Sequence, residues 1–228
     1  MARTGRPRGF DKDAALEKAM LLFWASGYDA ASLAQLKAAM GGISTASFYA
    51  AFGSKEALFR DVTRRYIETH GQVTAPLNDP ALPPREAVEL ALRQSARMQT
   101  DPAHPPGCLV ALSAGACSPE SRHVQAVLAE KRARNRAGLH ACMARAVSSG
   151  TLPAGIDAAG LATMFDTFLA GLSTQARDGV PLSALDAAIS RLMSVWDSLA
   201  ATAWPLARPG QGAGSGPHRL EADPHGGG

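Results

Sequence analysis

Hydroxyls and a phenol crowd one uncharged stretch of the chain. Residues 40–55 read MGGISTASFYAAFGSK: Ser44, Thr45, Ser47, Ser54 and Tyr49 supply donors, Ala46 supplies a methyl, and no charge appears before Lys55. Such groups attack or abstract protons only with an activating base beside them, and this stretch offers none. They suit close approach to a polar, anionic surface, where hydroxyls donate to phosphate oxygens or base edges and alanine touches a thymine methyl. Lys55 adds to the pattern. A cation in the first turn of a helix opposes the helix dipole by roughly 0.3–1 kcal/mol, and makes sense where a phosphate docks on that N-terminus. Taken singly, each feature also describes a tightly packed helix of small residues with one exposed lysine.

The other chemistry-bearing residues form no catalytic pattern. The six histidines are scattered, with no nucleophile–base pairing and no phosphate loop, so no catalytic residue and no cofactor are expected and the chain does not read as an enzyme. His104 and Cys108, then Cys117 and His123, match no zinc spacing and are interrupted by prolines, so no metal site is expected either. Three cysteines, an odd number without CxxC spacing, predict reduced thiols and a cytoplasmic setting. Cys108 or Cys117 as a redox- or electrophile-sensing thiol is an alternative; it requires a depressed thiol pKa. The run EKRARNR (130–136) reads as a solvated helix face.

The elements that must position these residues are helical throughout. Hydrophobic residues make up 46% of the chain and aromatics only 6%, a balance that favours packed helices over a β-sandwich. Asp11 caps a helix to Ser26 that Gly27 ends; Ser32 and Gln35 form a capping box for a second, broken by Gly41-Gly42. Ser44 caps a third, to about Phe52, held inward by Ile43, Phe48 and Phe52. Ser54 caps a fourth through about Thr74. After a connector, PLNDPALPP, helical periodicity runs through 84–100, 106–117, 119–149, 157–178 and 182–200. No apolar stretch is long enough to span a bilayer, and no membrane partner is expected. The organisation that follows is a basic flexible arm (1–10), a helix-turn-helix unit (11–56), a helical regulatory and dimerisation unit (57–204) and a disordered tail (205–228).

Charge is divided along the same lines. Residues 1–66 carry ten Lys/Arg against six Asp/Glu, net +4, and the remainder 13 against 14, net −1. A polyanion partner for the N-terminal part fits that asymmetry. Arg3, Arg6 and Arg8, on the arm, can reach a backbone or an adjacent minor groove.

Together these residues resemble the N-terminal domain of the TetR/AcrR family of transcriptional regulators. The resemblance spans residues 6–66 and rests on Gly27-Tyr28, Ser32, Leu36, Gly42-Ile43-Ser44, Phe48-Tyr49 and Phe52-Gly53-Ser54-Lys55-Glu56. One departure stands out: between Leu36 and Gly42 the spacing is one residue longer than the family pattern, which lengthens the second helix or tilts the third. The resemblance implies DNA contacts from Thr45, Ser47, Tyr49 and Lys55, with Ser32, Ser44 and Ala46 beside them. It implies an isologous homodimer through the last two helices, drawing on Leu161, Phe165, Phe168, Leu172, Leu185, Ile189, Leu192 and Trp196. It also implies a ligand pocket among the middle helices, with Met98, Cys108, Leu112, Met143, Phe165 and Phe168 as candidates. Few of these carry charge, which points to a small apolar or aromatic effector. The expected function is a repressor that binds a pseudo-palindromic double-stranded operator and is released by that effector. A thiol sensor of the kind named above and a constitutive architectural DNA binder are the alternatives.

Overall fold

The computed structural model describes residues 11–113 and 121–203. The arm residues Arg3, Arg6 and Arg8, the candidate thiol Cys117 and the C-terminal tail lie outside the described residues. Among those described, every regular element is a helix, and the fold is all-α as expected.

Local signals set the first three helices. Asp11 Oδ1 accepts from the N–H groups of Asp13 and Ala14 at 3.1 and 3.0 Å, satisfying donors that the first turn of α1 (Lys12–Ser26) leaves open. Ala15, Ala19, Met20, Phe23 and Trp24 form its buried stripe. Ser32 and Gln35 make the reciprocal capping box that begins α2 (Leu33–Ala39). The doubled glycine ends this helix after Met40. Gly41 N–H donates to the Ala38 carbonyl at 3.1 Å and Gly42 N–H to that of Lys37 at 2.9 Å, the paired bonds of a Schellman stop. Both glycines are left-handed, with φ of 88° and 76°. Ser44 then caps α3 (Thr45–Phe52) by accepting from Ser47 N–H at 3.0 Å.

α4 (Lys55–Glu68) crosses position 56, because Leu58, Phe59, Val62 and Tyr66 continue the core begun by α1. Phe23, Tyr28 and Phe59 meet there edge-on and stacked, with centroids 5.0–6.0 Å apart. The helix ends at Glu68 rather than near Thr74. A 3₁₀ segment over His70–Asn78, containing Pro76, takes its place. Of the expected helix 106–117, the described residues hold α6 (Leu109–Leu112), which starts only after Pro105, Pro106 and the left-handed Gly107; residues 114–117 lie outside the described residues.

A second core joins α5 (Pro84–Gln99), α7 (Arg122–Ser148), α8 (Ala158–Arg177) and α9 (Leu182–Ala203) with Leu77 of the 3₁₀ segment. Phe165 and Trp196 meet at its centre, 6.0 Å between centroids. On its outer side Arg85 grips Asp197 with two bonds of 2.6 and 3.0 Å and also reaches Glu89. Arg93 links Glu89 to Asp186, so α5 is tied to α9. The two cores are joined by α6 and α7, whose Leu109, Val110, Val124 and Leu128 pack into the N-terminal one. Trp24 Nε1 donates to the Gly107 carbonyl at 3.0 Å, and Arg177 to the Ala25 carbonyl at 3.0 Å.

Candidate nucleic-acid interface and internal cavity

α3 presents the face that the sequence describes. Ser44, Thr45, Ala46, Ser47 and Tyr49 are exposed, whereas Phe48 and Phe52 are buried beneath them; Ile43 is only half-buried. Tyr49 is half open to solvent, with its ring set edge-on against Phe48. The helix carries no charged side chain, so nothing on it repels a polyanion. Ser32 is exposed at the start of α2, but its hydroxyl is engaged in the capping box and donates to Gln35 Oε1 at 2.8 Å.

The cations around α3 differ from the expectation in detail. Lys55, at the first position of α4, folds back over the Tyr28 ring at 4.5 Å and donates to the Asp29 carbonyl at 3.4 Å. Burial pushes its pKa down, against the pull of the Asp29 carboxylate. Lys37, absent from the expected set, donates to Thr45 Oγ1 at 2.7 Å and so stands at the N-terminus of α3. Its position one turn before the glycines on α2 was the available signal. Lys12 lies over Phe52 at 5.4 Å from the ring centroid.

A cavity of about 80 Å³ lies between Tyr66 of α4, the 3₁₀ segment, α5, α6, α7 and α8. Met98 and Cys108 line it as expected, but Leu112, Met143, Phe165 and Phe168 do not. Met143 and Phe165 are fully enclosed in the second core, Phe168 packs against that core, and Leu112 sits against Gly107. The lining is nonetheless predominantly apolar, with a minority of polar groups. Val73, Val110 and Leu169 form apolar wall, while Lys131, Arg132, Asn135, Arg136 and Asp166 bring polar and mostly cationic groups from α7 and α8. Burial lowers the pKa of Lys131, Arg134 lowers it further, and the Cys108 thiol opposes both. Burial raises that of Asp166, against the attraction of Arg136 and His140.

Between cavity and α1 stands a cluster of rings. Tyr66 donates to Cys108 Sγ at 3.3 Å, and burial followed by the Cys108 charge keeps its phenol well above the ordinary range. Trp24 stacks on His104 at 4.3 Å and meets Tyr66 and His70 edge-on at 4.8 and 5.0 Å. These residues are distant in sequence, and no local pattern marks them.

The interface residues expected on the last two helices divide in two. Leu161, Phe165, Leu172, Leu185, Ile189 and Trp196 are buried in the chain's own core, where the same three-and-four spacing serves α8 against α9 and α5. Phe168 and Leu192 remain partly open. Among the described residues, no helix is long and apolar enough to cross a membrane.

A compact helix-turn-helix unit fused to a larger helical body defines a class of DNA-binding regulators. The profile of bacterial regulatory proteins of the tetR family matches residues 15–62, and that of the tetracyclin repressor-like C-terminal domain matches residues 86–192. The HTH-type transcriptional repressor ComR of Escherichia coli (strain K12) is 33% identical over 199 residues, covering 86% of this chain and 93% of ComR. BdcR, a second such repressor from the same organism, is 33% identical over 120 residues, 53% of this chain and 60% of BdcR. Among solved structures, a cysteine-substituted variant of the TetR family transcriptional regulator CifR, complexed with 26-bp double-strand operator DNA, is 42% identical. It covers 84% of this chain and 100% of that chain, with a TM-score of 0.76. The chain belongs to the TetR family of bacterial regulatory proteins.

Proposed function

We propose that the chain is a transcriptional repressor that binds a pseudo-palindromic operator as a homodimer and leaves it when a small molecule occupies the cavity. The observation that carries this reading is α3: an uncharged helix with exposed hydroxyls and Tyr49, anchored from below by Phe48 and Phe52. Thr45, Ala46 and Ser47 approach base edges, while Tyr49, Lys55 and the capping Ser44 hold phosphates and set register. Lys37 joins the phosphate contacts through its place beside Thr45. Such a protein works on DNA in the cytoplasm.

The dimer uses the outer faces of α8 and α9. Thr163, Thr167, Gly171 and Thr174 on one helix and Ala184, Ala188, Arg191 and Val195 on the other are exposed, and Phe168 and Leu192 stand partly open beside them. A stable contact needs roughly 1,200–2,000 Å² of total buried area. Small residues on two adjacent helices of 20 and 22 residues allow that approach. A two-fold dimer then sets its two α3 helices on half-sites about 34 Å apart.

The test is selection of bound fragments from genomic DNA, followed by binding of the recovered sites. Tyr49→Phe with Lys55→Ala weakens binding to every recovered site, while Thr45→Ala or Ser47→Ala changes the order of preference. Unchanged DNA affinity in the folded double variant defeats the proposal. A second reading, in which oxidation replaces the small molecule, is favoured by Cys108 lining the cavity beside Tyr66. Peroxide-dependent release that Cys108→Ser abolishes distinguishes it.

A further inference from the structure

The cavity holds more unanswered polar groups than a filled core tolerates. Ser95 Oγ, Gln99 Oε1 and Ser173 Oγ all line it, and none has a hydrogen-bond partner among the described residues. The three residues are 1%, 3% and 1% exposed, so bulk water does not answer them. A buried polar group without a partner is destabilising, and each one calls for a physical explanation, a bound occupant among them. The second observation is charge. Lys131 is half-buried, its ammonium lies 3.5 Å from Thr74 Oγ1, and no carboxylate contributes to its electrostatics. Thr74 in turn donates to Asn135 Oδ1 at 3.1 Å. Arg132 is directed to the Val110 carbonyl at 3.1 Å, and the exposed Arg136 faces Asp166, which leaves Lys131 as the cation available to an occupant.

We propose that the cavity takes a compact organic monocarboxylate bearing a hydroxyl group. Its carboxylate seats on the Lys131 ammonium and accepts from the Ser95 and Ser173 hydroxyls. Its hydroxyl donates to Gln99 Oε1, and its apolar body lies against Val73, Met98 and Leu169. An anion at this place makes charge-assisted hydrogen bonds, about twice as strong as neutral ones, to groups that are otherwise unanswered. A neutral apolar guest of the same size leaves Ser95 Oγ, Gln99 Oε1 and Ser173 Oγ without partners. This assignment rests on the repressor reading only for its biological meaning; the binding chemistry stands on the cavity alone.

The test uses the full chain and two probe scaffolds, 3-hydroxybenzoate and 3-hydroxybutyrate. The controls are 3-hydroxybenzamide, 3-hydroxybenzylamine and benzoate. Affinity is read by calorimetry and by the shift of the thermal midpoint. At least one hydroxy acid binds saturably, and its amide and amine analogues bind at least tenfold more weakly. Lys131→Gln weakens the acid at least tenfold, about 1.4 kcal/mol, whereas Lys131→Arg restores most of the affinity. Gln99→Met removes the advantage of 3-hydroxybenzoate over benzoate. Without probe, Lys131→Gln melts no lower than the parent, because it removes a charge that burial disfavours. Equal binding of acid and amide, undiminished binding in folded Lys131→Gln, or no saturable binding of either acid overturns the proposal. Operator binding is measured separately without probe. A chain that binds the acid and never DNA refutes the repressor reading and leaves the ligand class intact, and the reverse result does the opposite.

Discussion

Replacing Gly42 by alanine isolates the energetics of the doubled-glycine turn. An alanine Cβ at 41 or 42 meets no heavy atom within 4 Å, so neither substitution creates a clash. What remains is backbone conformation, since φ stays at 88° and 76° if α2 and α3 keep their places. A left-handed L-residue costs about 1–2 kcal/mol, so Gly42→Ala lowers the thermal midpoint by roughly 2–8 °C for a domain of this size. Gly41→Ala acts more strongly, because a shift there also loosens the Gly42 N–H bond to the Lys37 carbonyl. Adding about 0.5–1.5 kcal/mol for that bond gives a fall of roughly 3–14 °C. Asparagine tolerates the left-handed region, so Gly42→Asn recovers part of the loss. Thermal unfolding followed by far-ultraviolet circular dichroism measures all three. A midpoint for Gly42→Ala within about 1 °C of the parent, or a deeper fall for Gly42→Asn than for Gly42→Ala, refutes the reasoning.

Other perturbations test other parts of the molecule. Trp24→Phe keeps the ring but leaves the Gly107 carbonyl without its donor, and destabilises by about 1–3 kcal/mol in urea titration. His70 is held neutral by burial and then by His104, with Glu17 and Asp101 pulling the other way, so its folded pKa lies below its unfolded value. The native state then binds fewer protons than the unfolded one, and stability present above about pH 6.5 declines as the pH falls through and below it. Unfolding titrations from pH 7.5 to 5.5 show that decline, and His70→Gln flattens it. Val195→Asp places a charge on the outer face of α9, where valine is 41% exposed, and shifts sedimentation equilibrium from dimer to monomer while the chain stays folded. Removing Lys37 as alanine lowers the slope of log affinity against log salt by about one, the signature of one lost phosphate contact.

Much of the fold was legible because its signals are local. Asp11, Ser32, Ser44 and Ser54 all cap the helices that their sequence positions announce, and Gly27 and Gly41 stop two of them. The exposed face of α3 was legible for the same reason: Phe48 and Phe52 fix which side is inward, and the small polar residues follow. The cavity was not. Its walls come from six elements, and a buried Ser95 or Gln99 looks like any helical polar residue until its neighbours are known. The α8–α9 stripe failed differently. A three-and-four repeat shows that Phe165, Ile189 and Trp196 face something apolar without saying whether that surface belongs to the same chain. Lys55 shows a third limit, since its sequence position gave the helix terminus but not the turn back over Tyr28.

The joint at Gly107–Cys108 has a mechanical consequence. Cys108 borders the cavity, and the adjoining Gly107 holds α1 through its carbonyl. A Cβ at 107 would lie 2.5 Å from Leu112 Cδ1 and 2.8 Å from the carbonyl of Ser173, itself a lining residue, so this peptide has no room to yield sideways. This peptide is thus a stiff member of the joint between the two cores, beside Arg177 on the Ala25 carbonyl and the packing of α6 and α7 into the N-terminal core. On the proposed function, that stiffness passes a displacement of the cavity wall at Ser173 and Cys108 on to α1 through the Trp24 bond. On the same reading, slack introduced there, such as one extra residue between 107 and 108, weakens the coupling of the two sites more than it weakens either site's own binding.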